Sequence, residues 1–415
     1  MKILLEAPIL TQSGYGEHSR LVFRALSQKN VEIYVNPLGW GQTGWITAFD
    51  KERKMIEKSI NNFYNISQIA KAGGSVEFDM QIHVGIPNEF QKKAPYSICV
   101  TAGIETDRVS SNWIIKTNGE INKLIVPSEH SKQSFARTSY EKIDSKGKSK
   151  GILECGCPIE VVPYPVKNIQ PEHLNFSLDT EFNFLSVALL GHRKNIDNTI
   201  RWFIEEFKDD NVGLIIKTGS STGSIMDRNY TRKILQSMVP EDANRKCKVY
   251  FLHGDLTESQ IHSLYVREDI HAYVTTTHGE GFGLPLFEAA YSGLPVIATD
   301  WSGHLDFLEA SIREKKKTKQ KKLFANVEYE LKEIHPSVVW EDILIEGSQW
   351  AYPVEESFKK QLRNVYNNID LYKNRSKTLK NIIQKNFSKE NIYQKMQDAI
   401  FSKHQDKEED EILVL

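Results

Sequence analysis

Apolar residues fall along this chain in two alternating patterns, short unbroken runs and longer stretches with a helical repeat. The runs 3–7, 80–84, 97–100 and 124–126 are of strand length, and a helix-like stretch, 16–28, separates the first from the run 31–35. Strands buried on both faces carry continuous apolar runs, and their alternation with helices predicts a parallel sheet covered on both sides. After the polar, proline-punctuated stretch 163–173 the pattern restarts at 184–190, 213–216, 249–252, 272–277 and 296–298. Within 195–207, Ile196, Ile200, Phe203 and Phe207 share one helical face, which should pack on the second sheet. At 415 residues the chain exceeds what one hydrophobic core usually supports. The pattern therefore predicts an α/β protein with two doubly wound parallel-sheet domains joined by a linker, with a cleft between the carboxyl ends of their strands, where such folds bind ligands.

Composition narrows the partners. Lys plus Arg (53) nearly balances Asp plus Glu (54), a formal net charge of −1, so the whole chain offers no global attraction to nucleic acid or anionic lipid. Any such partner must meet a local patch. Four cysteines are too few for a disulfide framework, and Cys155-Gly-Cys157 lacks zinc-site spacing, which predicts reduced thiols in the cytoplasm, either bacterial or that of a phage-infected host. The apolar start meets Glu6 at once and reads as a first strand, not a signal peptide, and no run is long enough to cross a membrane.

The most informative segment is His278-Gly-Glu280-Gly281-Phe282-Gly283-Leu284-Pro285-Leu-Phe-Glu288. It follows the β-branched run 270–277, and Pro285 suits the first turn of a helix continuing to Tyr291. At such a turn free backbone N–H groups and the helix dipole favour an anion, while Gly281 and Gly283 allow close backbone approach to it. Glu288, about one turn inside the helix, is placed to accept hydrogen bonds from a vicinal diol such as a ribose, with Glu280 at the other end of the ligand.

Glu280 and Glu288, set in Glu-Gly-Phe-Gly-Leu-Pro and followed by Gly293-Leu-Pro295, resemble the E-x7-E signature of the family 4 retaining glycosyltransferases. The resemblance implies the GT-B fold, two Rossmann-like domains facing a central cleft. The first (1–165) would lie on the acceptor side and the second (166–385) would bind the nucleotide sugar. Residues 386–415 would form a helix crossing back to the first domain, with 390–400 as the candidate, and a charged, frayed tail.

Other segments extend the expected site. Ser13-Gly14-Tyr-Gly16-Glu17-His18 follows the first strand, and the resemblance sets Gly14 and Gly16 against the donor diphosphate or the acceptor, with a structural turn as the alternative. His18 joins Glu105 and Asp107 as acceptor-side candidates, although Asp107 would serve equally as a helix cap. Arg193 and Lys194 form a cation pair able to neutralise a leaving diphosphate; family members commonly space these two apart, so Lys194 is the safer match. Lys217, ending a strand, is either a phosphate contact or a solvated strand end. Ser128 reads as a helix cap, and His304 as a polar loop residue near the donor rather than a catalyst. No Asp-x-Asp pair is present, so no metal and no cofactor beyond the nucleotide-diphosphate sugar donor is expected.

These readings converge on a retaining glycosyltransferase, with Glu280, Arg193 and Lys194 catalytic and Gly14, Gly16, Lys217, Gly281, Phe282, Gly283, Leu284 and Glu288 binding the donor. A sugar-nucleotide epimerase and a nucleotide-sugar binding protein without catalysis are the alternatives; the second is motivated by the lack of a His in 101–107, where many relatives have one. The acceptor stays open between a glycan, a lipid-linked sugar met at a membrane surface, and nucleic acid. The basic runs Arg313–Lys322 and Lys142–Lys150 offer a local cationic surface for an anionic acceptor or are simply solvated loops. The motifs are also similar to glycosyltransferases of tailed-phage genomes, some of which decorate modified DNA bases.

Overall fold

A computed structural model describes residues 1–45, 50–314 and 317–402. The first domain contains β1 (Lys2–Ala7), β2 (Glu32–Pro37), β3 (Met80–Val84), β4 (Tyr96–Val100) and β5 (Lys123–Val126). A hairpin of β6 (Ser139–Ile143) and β7 (Ser149–Glu154) precedes the edge strand β8 (Ile159–Val161). The sheet runs β2-β1-β3-β4-β5-β8 with every pair parallel. Its helices are α1 (Gly14–Leu26), α2 (Lys51–Lys71), α3 (Ser111–Glu120) and α4 (Glu129–Arg137). Ile3, Leu4 and Leu5 are all buried, as a strand covered on both faces requires.

The second domain repeats the plan with β9 (Phe182–Val187), β10 (Val212–Lys217), β11 (Lys248–Leu252), β12 (Ala272–Val274) and β13 (Val296–Thr299). A hairpin, β14 (Glu309–Glu314) and β15 (Lys317–Lys322), again precedes an edge strand, β16 (Ala325–Val327). The sheet order is β11-β10-β9-β12-β13-β16, all parallel, and it is flanked by α5 (Ile196–Phe207), α6 (Ile225–Met238), α7 (Glu258–Val266), α8 (Leu284–Ser292) and α9 (Leu305–Leu308). An antiparallel pair, β17 (Tyr329–Glu333) and β18 (Gln349–Pro353), and α10 (Glu355–Asn367), α11 (Ile369–Asn386) and α12 (Lys389–Phe401) complete the described chain. The order reverses between β9 and β12, so the loops after these two strands part there and open a crevice.

The expected two-domain α/β architecture is thus the observed one, with local differences. The apolar run 272–277 ends as a strand at Val274, and beyond it the threonine hydroxyls join the site loops: Thr276 donates to the Asn195 carbonyl (2.9 Å) and Thr277 to Glu280 (2.9 Å). The basic run Arg313–Lys322 forms most of the β14–β15 ribbon, where Arg313, Lys317 and Lys319 are exposed; Lys315 and Lys316 lie outside the described residues, as does the 404–411 tail. The lysines along β15 hinder strand addition at that edge of the two-stranded ribbon, a structural reason for the run.

The α12 helix lies on α1 of the first domain. Gln397 donates to the Ala25 carbonyl (2.9 Å), and buried Lys123 of β5 donates to the carbonyls of Ala399 (2.7 Å) and Ser402 (3.0 Å) and to the Ser402 hydroxyl (3.0 Å). Lys123→Met leaves those oxygens without their shared donor and is expected to destabilise the fold by about 1–3 kcal/mol. Hydrogen exchange should then quicken first in α12, and unchanged protection there would show that Lys123 does not dock the helix.

Candidate active site in the interdomain cleft

The loops after β9 and β12 bring the predicted residues together. Arg193 and Lys194 sit in a turn of 3-10 helix, and Asn195, with φ of 53°, passes the chain into α5. Lys194 Nζ lies 2.5 Å from Glu280 Oε1, and Arg193 Nη1 lies 3.1 Å from Glu280 Oε2. The other Arg193 terminal nitrogen, Nη2, is 3.0 Å from Glu105 of the first domain. Two cations and two carboxylates thus form one chain across the cleft, Glu105–Arg193–Glu280–Lys194.

Burial opposes ionisation of Glu280, but Lys194, Arg193 and the Thr277 hydroxyl outweigh it and hold its pKa down to about 2. Burial works against charge on Arg193 too, and Glu105 and Glu280 overcome it. On Lys194 burial and the adjacent Arg193 prevail over Glu280, so its pKa falls below the usual lysine value. An added anion at this point would therefore find a lysine with charge still to be matched.

The glycines have a different use from the one their spacing suggests. A Cβ on Gly281 would stand 2.1 Å from the Ala102 carbonyl oxygen, and one on Gly279 2.2 Å from that of Glu105. The space at Gly281 is filled by first-domain backbone, not left for an anion, and the Gly281 carbonyl accepts from Ser128 Oγ (2.5 Å) and Ser131 Oγ (3.4 Å) of α4. Gly283, at φ of 90°, opens α8 in the left-handed region that glycine favours. Phe282 is a core side chain packed among Tyr164, Phe287 and Phe307, so it is not free to bind a donor.

Near the first strand, Gly16 donates its N–H to the Ser13 cap (2.9 Å), and a Cβ there would meet the Thr11 carbonyl at 2.1 Å. Its role is the turn itself, whereas Gly14 has open space at its α-carbon. His18 is fully buried against Tyr164, and burial pushes its pKa down to about 3; a neutral, enclosed imidazole does not reach an acceptor. Asp107 does not cap α3, since Ser110 does; it accepts from the Gln349 backbone N–H (2.6 Å) and ties the first domain to β18. Lys217 stands apart from the cation cluster, half-buried at the end of β10 with Asp255 as its electrostatic neighbour.

Glu288 lies on α8 and lines a cavity of about 200 Å³ between the domains. Ser13, Glu17 and Arg20 contribute the first-domain wall, Lys167 the linker side, and Leu256, Glu258, Tyr265 and Leu284 part of the second-domain wall. A larger groove of about 640 Å³ between α2 and β2 shares no lining residue with it. Glu17, Arg20, Lys167, Glu258 and Tyr265 were not anticipated as site residues: Lys167 sits in a stretch that reads as linker, Glu17 and Arg20 lie in or just beyond the Ser13–His18 segment without being singled out, and Glu258 and Tyr265 occupy helix positions without any motif. His130, whose ring packs edge-on to Trp301 across the domain contact, likewise carries no sequence signal. Among the described residues no three His, Cys, Asp or Glu come together as a metal site requires.

Burial raises the pKa of Glu288 to about 7, against the pull of Lys167 and a hydrogen bond from Tyr265 (3.1 Å). The folded state thus keeps a proton on Glu288 between its ordinary value of 4.5 and about 7, where the unfolded chain has lost it. Stability from this group is complete below the lower value and is lost as pH rises through the window. Glu288→Gln should therefore melt progressively higher than wild type as pH is raised from 4.5 to 8. A difference in melting temperature that does not change with pH would refute the shifted carboxyl.

Comparison with known proteins bears on the fold and on part of the second domain. Residues 171–313 match the family model described as "Glycosyl transferases group 1". The chain is 31% identical over 152 residues to the GtfA subunit of a UDP-N-acetylglucosamine–peptide N-acetylglucosaminyltransferase of Streptococcus pneumoniae, covering 36% of this chain and 27% of that protein. It is 27% identical over 163 residues to the serotype-specific mannosyltransferase WbdA of Escherichia coli, covering 34% of this chain and 18% of that protein. The chain therefore spans about a quarter or less of the length of these relatives. Solved structures resemble it over nearly its full length. A sucrose-phosphate synthase of Thermosynechococcus elongatus superposes with a TM-score of 0.60 at 14% identity, over 96% of this chain and 98% of that one. Anabaena HepE, solved with UDP and glucose, gives 0.55 at 12% identity, over 96% of this chain and 99% of that one. The fold is GT-B, and residues 171–313 of its second domain are similar to the group 1 glycosyl transferases.

Proposed function

We propose that the protein is a retaining, metal-independent glycosyltransferase of the family 4 type, moving a sugar from a nucleoside-diphosphate sugar to an acceptor hydroxyl. The observation that carries this reading is the placement of Glu280 on the Arg193–Lys194 pair at the crevice of the second sheet, one short loop from the Glu288 cavity. That arrangement offers cations for a diphosphate and carboxylates for hydroxyl groups on either side of it. The names of the sequence relatives, which act with an N-acetylglucosaminyl or a mannosyl group, support the same class of donor.

Each step follows from the charges. The ribose hydroxyls donate to Glu288 and the sugar hydroxyls to Glu280, which its low pKa keeps ionised at neutral pH. Arg193 and Lys194 contact the diphosphate. As the bond from the anomeric carbon to the phosphate oxygen breaks, negative charge grows on that oxygen, and cations already in place stabilise the transition state more than the ground state. The acceptor hydroxyl attacks from the face the diphosphate leaves and passes its proton to the departing phosphate oxygen. Glu105, paired to Arg193 across the cleft, orients the acceptor. The acceptor itself is a glycan, a lipid-linked sugar or nucleic acid, and no helix among the described residues is long and apolar enough to cross a membrane.

A thermal-shift screen of nucleoside diphosphates and their sugars should find at least one that raises the melting temperature, because a ligand stabilises the state it binds. With that donor, Glu288→Ala should weaken binding by about 1–3 kcal/mol. Lys194→Ala should lower turnover roughly 10²- to 10³-fold, the usual loss when one transition-state charge contact is removed. Unchanged donor affinity and unchanged rate in both variants would contradict the assignment.

A further inference from the structure

Lys167 stands where three parts of the molecule meet. From the 163–173 linker its ammonium lies 3.0 Å from Glu17 of α1 and 2.7 Å from Glu258 of α7, and all three side chains line the cavity that Glu288 also lines. Glu17 has other cations, Arg20 at 3.2 Å and Arg24 at 3.0 Å, so Lys167 is not required to neutralise it. Glu258 pairs with Lys167 alone among the described residues. Glu288 makes no ion pair among them and accepts one hydrogen bond, from Tyr265. Arg20 also lines the cavity but is committed to Glu17 and to the carbonyls of Ile9 (2.9 Å) and Thr11 (3.0 Å).

We infer that Lys167 is the positioning residue of this pocket: it fastens α1 to α7 across the linker and supplies the positive charge that keeps the Glu288 carboxylate ready for the ribose hydroxyls of a nucleoside diphosphate. The ribose part rests on the role given to Glu288 under the proposed function. The groups acting on Glu288 come from each surrounding element: Lys167 from the linker, Tyr265 and Glu258 from α7, Glu17 from α1, Tyr273 from β12 and Tyr291 from its own helix. Burial and the two neighbouring carboxylates favour the protonated form, and Lys167 is the leading influence against it. Without that charge Glu288 would hold its proton to higher pH, and a protonated carboxyl no longer offers two full acceptors to a diol.

The test compares wild type, Lys167→Gln and Lys167→Arg, each with Glu288 and with Glu288→Gln. UDP and GDP are titrated by calorimetry from pH 5.5 to 9. Wild-type affinity should rise through neutral pH. Lys167→Gln should move that midpoint up by about one unit, an ordinary effect of losing a nearby opposite charge, which lowers affinity at pH 7 about fivefold and leaves it recovered at pH 9. Lys167→Arg should restore the wild-type midpoint, and in the Glu288→Gln background the Lys167 variants should share one midpoint, since the titration that remains belongs to the nucleotide's terminal phosphate and to other pocket groups such as His262. A purely structural lysine would weaken binding equally at all pH values, and that result would overturn the inference. A second readout needs no ligand: the pH window over which Glu288 and Glu288→Gln proteins differ in melting temperature should move upward in the Lys167→Gln background. If neither nucleotide binds wild type, the proposed function loses its support for these donors, while the melting window still decides the role of the Lys167 charge. If Lys167→Gln does not fold, Glu258→Gln supplies the converse, since removing that neighbouring carboxylate should move the window downward; an unmoved window would overturn the inference.

Discussion

The contact on which the arrangement of the site depends is the charge chain from Glu105 through Arg193 and Glu280 to Lys194. It joins a first-domain loop to two second-domain loops in a largely buried place, where each ion has lost most of its water. Taking charges out of water costs several kcal/mol apiece, and only close, mutual pairing offsets it. The chain meets that condition with two positive and two negative groups. The same balance leaves the cations near a crevice at the switch point of the sheet, where a diphosphate could compete with the carboxylates for them.

Backbone geometry supports this contact. Gly279 and Gly281 present bare α-carbons to the carbonyls of Glu105 and Ala102, which brings the loop after β12 closer to the first domain than any side chain would allow. Ser128 and Ser131 then bond the Gly281 carbonyl, and the Glu129 backbone N–H donates to Asp306 (2.7 Å), so the N-terminal turn of α4 holds the second domain. On the other side Asp107 bonds the Gln349 backbone, and Asp342 accepts from Ser110 (2.9 Å) and Asn112 (2.8 Å). Carboxylates, glycines and serine hydroxyls thus fix the domains around Arg193, and the Glu288 cavity lies between walls that belong to both.

Much of the fold was legible because buried parallel strands announce themselves as unbroken apolar runs, and α5 carries its apolar face at helical spacing. The strands β3 and β4 and the helix α8 fall within a residue or so of where those patterns put them. The long α2 helix was passed over although Ile56, Ile60 and Phe63 keep the helical spacing; polar residues surround that narrow stripe, and only Ile56 is fully buried. In the site, Glu280, Glu288, Arg193 and Lys194 were legible as a local motif and its neighbour, and Glu105 as a strand-end acid. What local sequence could not carry was pairing across the cleft. Gly281 reads as an anion-binding glycine until Ala102 is seen against it, His18 reads as an acceptor-side candidate until Tyr164 is seen against it, and Lys167 reads as linker until Glu17 and Glu258 are seen on either side.

The most direct measurement of the central claim is a crystal structure of the protein with a nucleoside diphosphate bound. The account predicts the diphosphate oxygens within hydrogen-bond distance of Arg193 and Lys194, the ribose hydroxyls on Glu288, and a lengthened Lys194–Glu280 contact. A nucleotide bound away from these residues, with the Glu105–Arg193–Glu280–Lys194 chain unchanged, would contradict it.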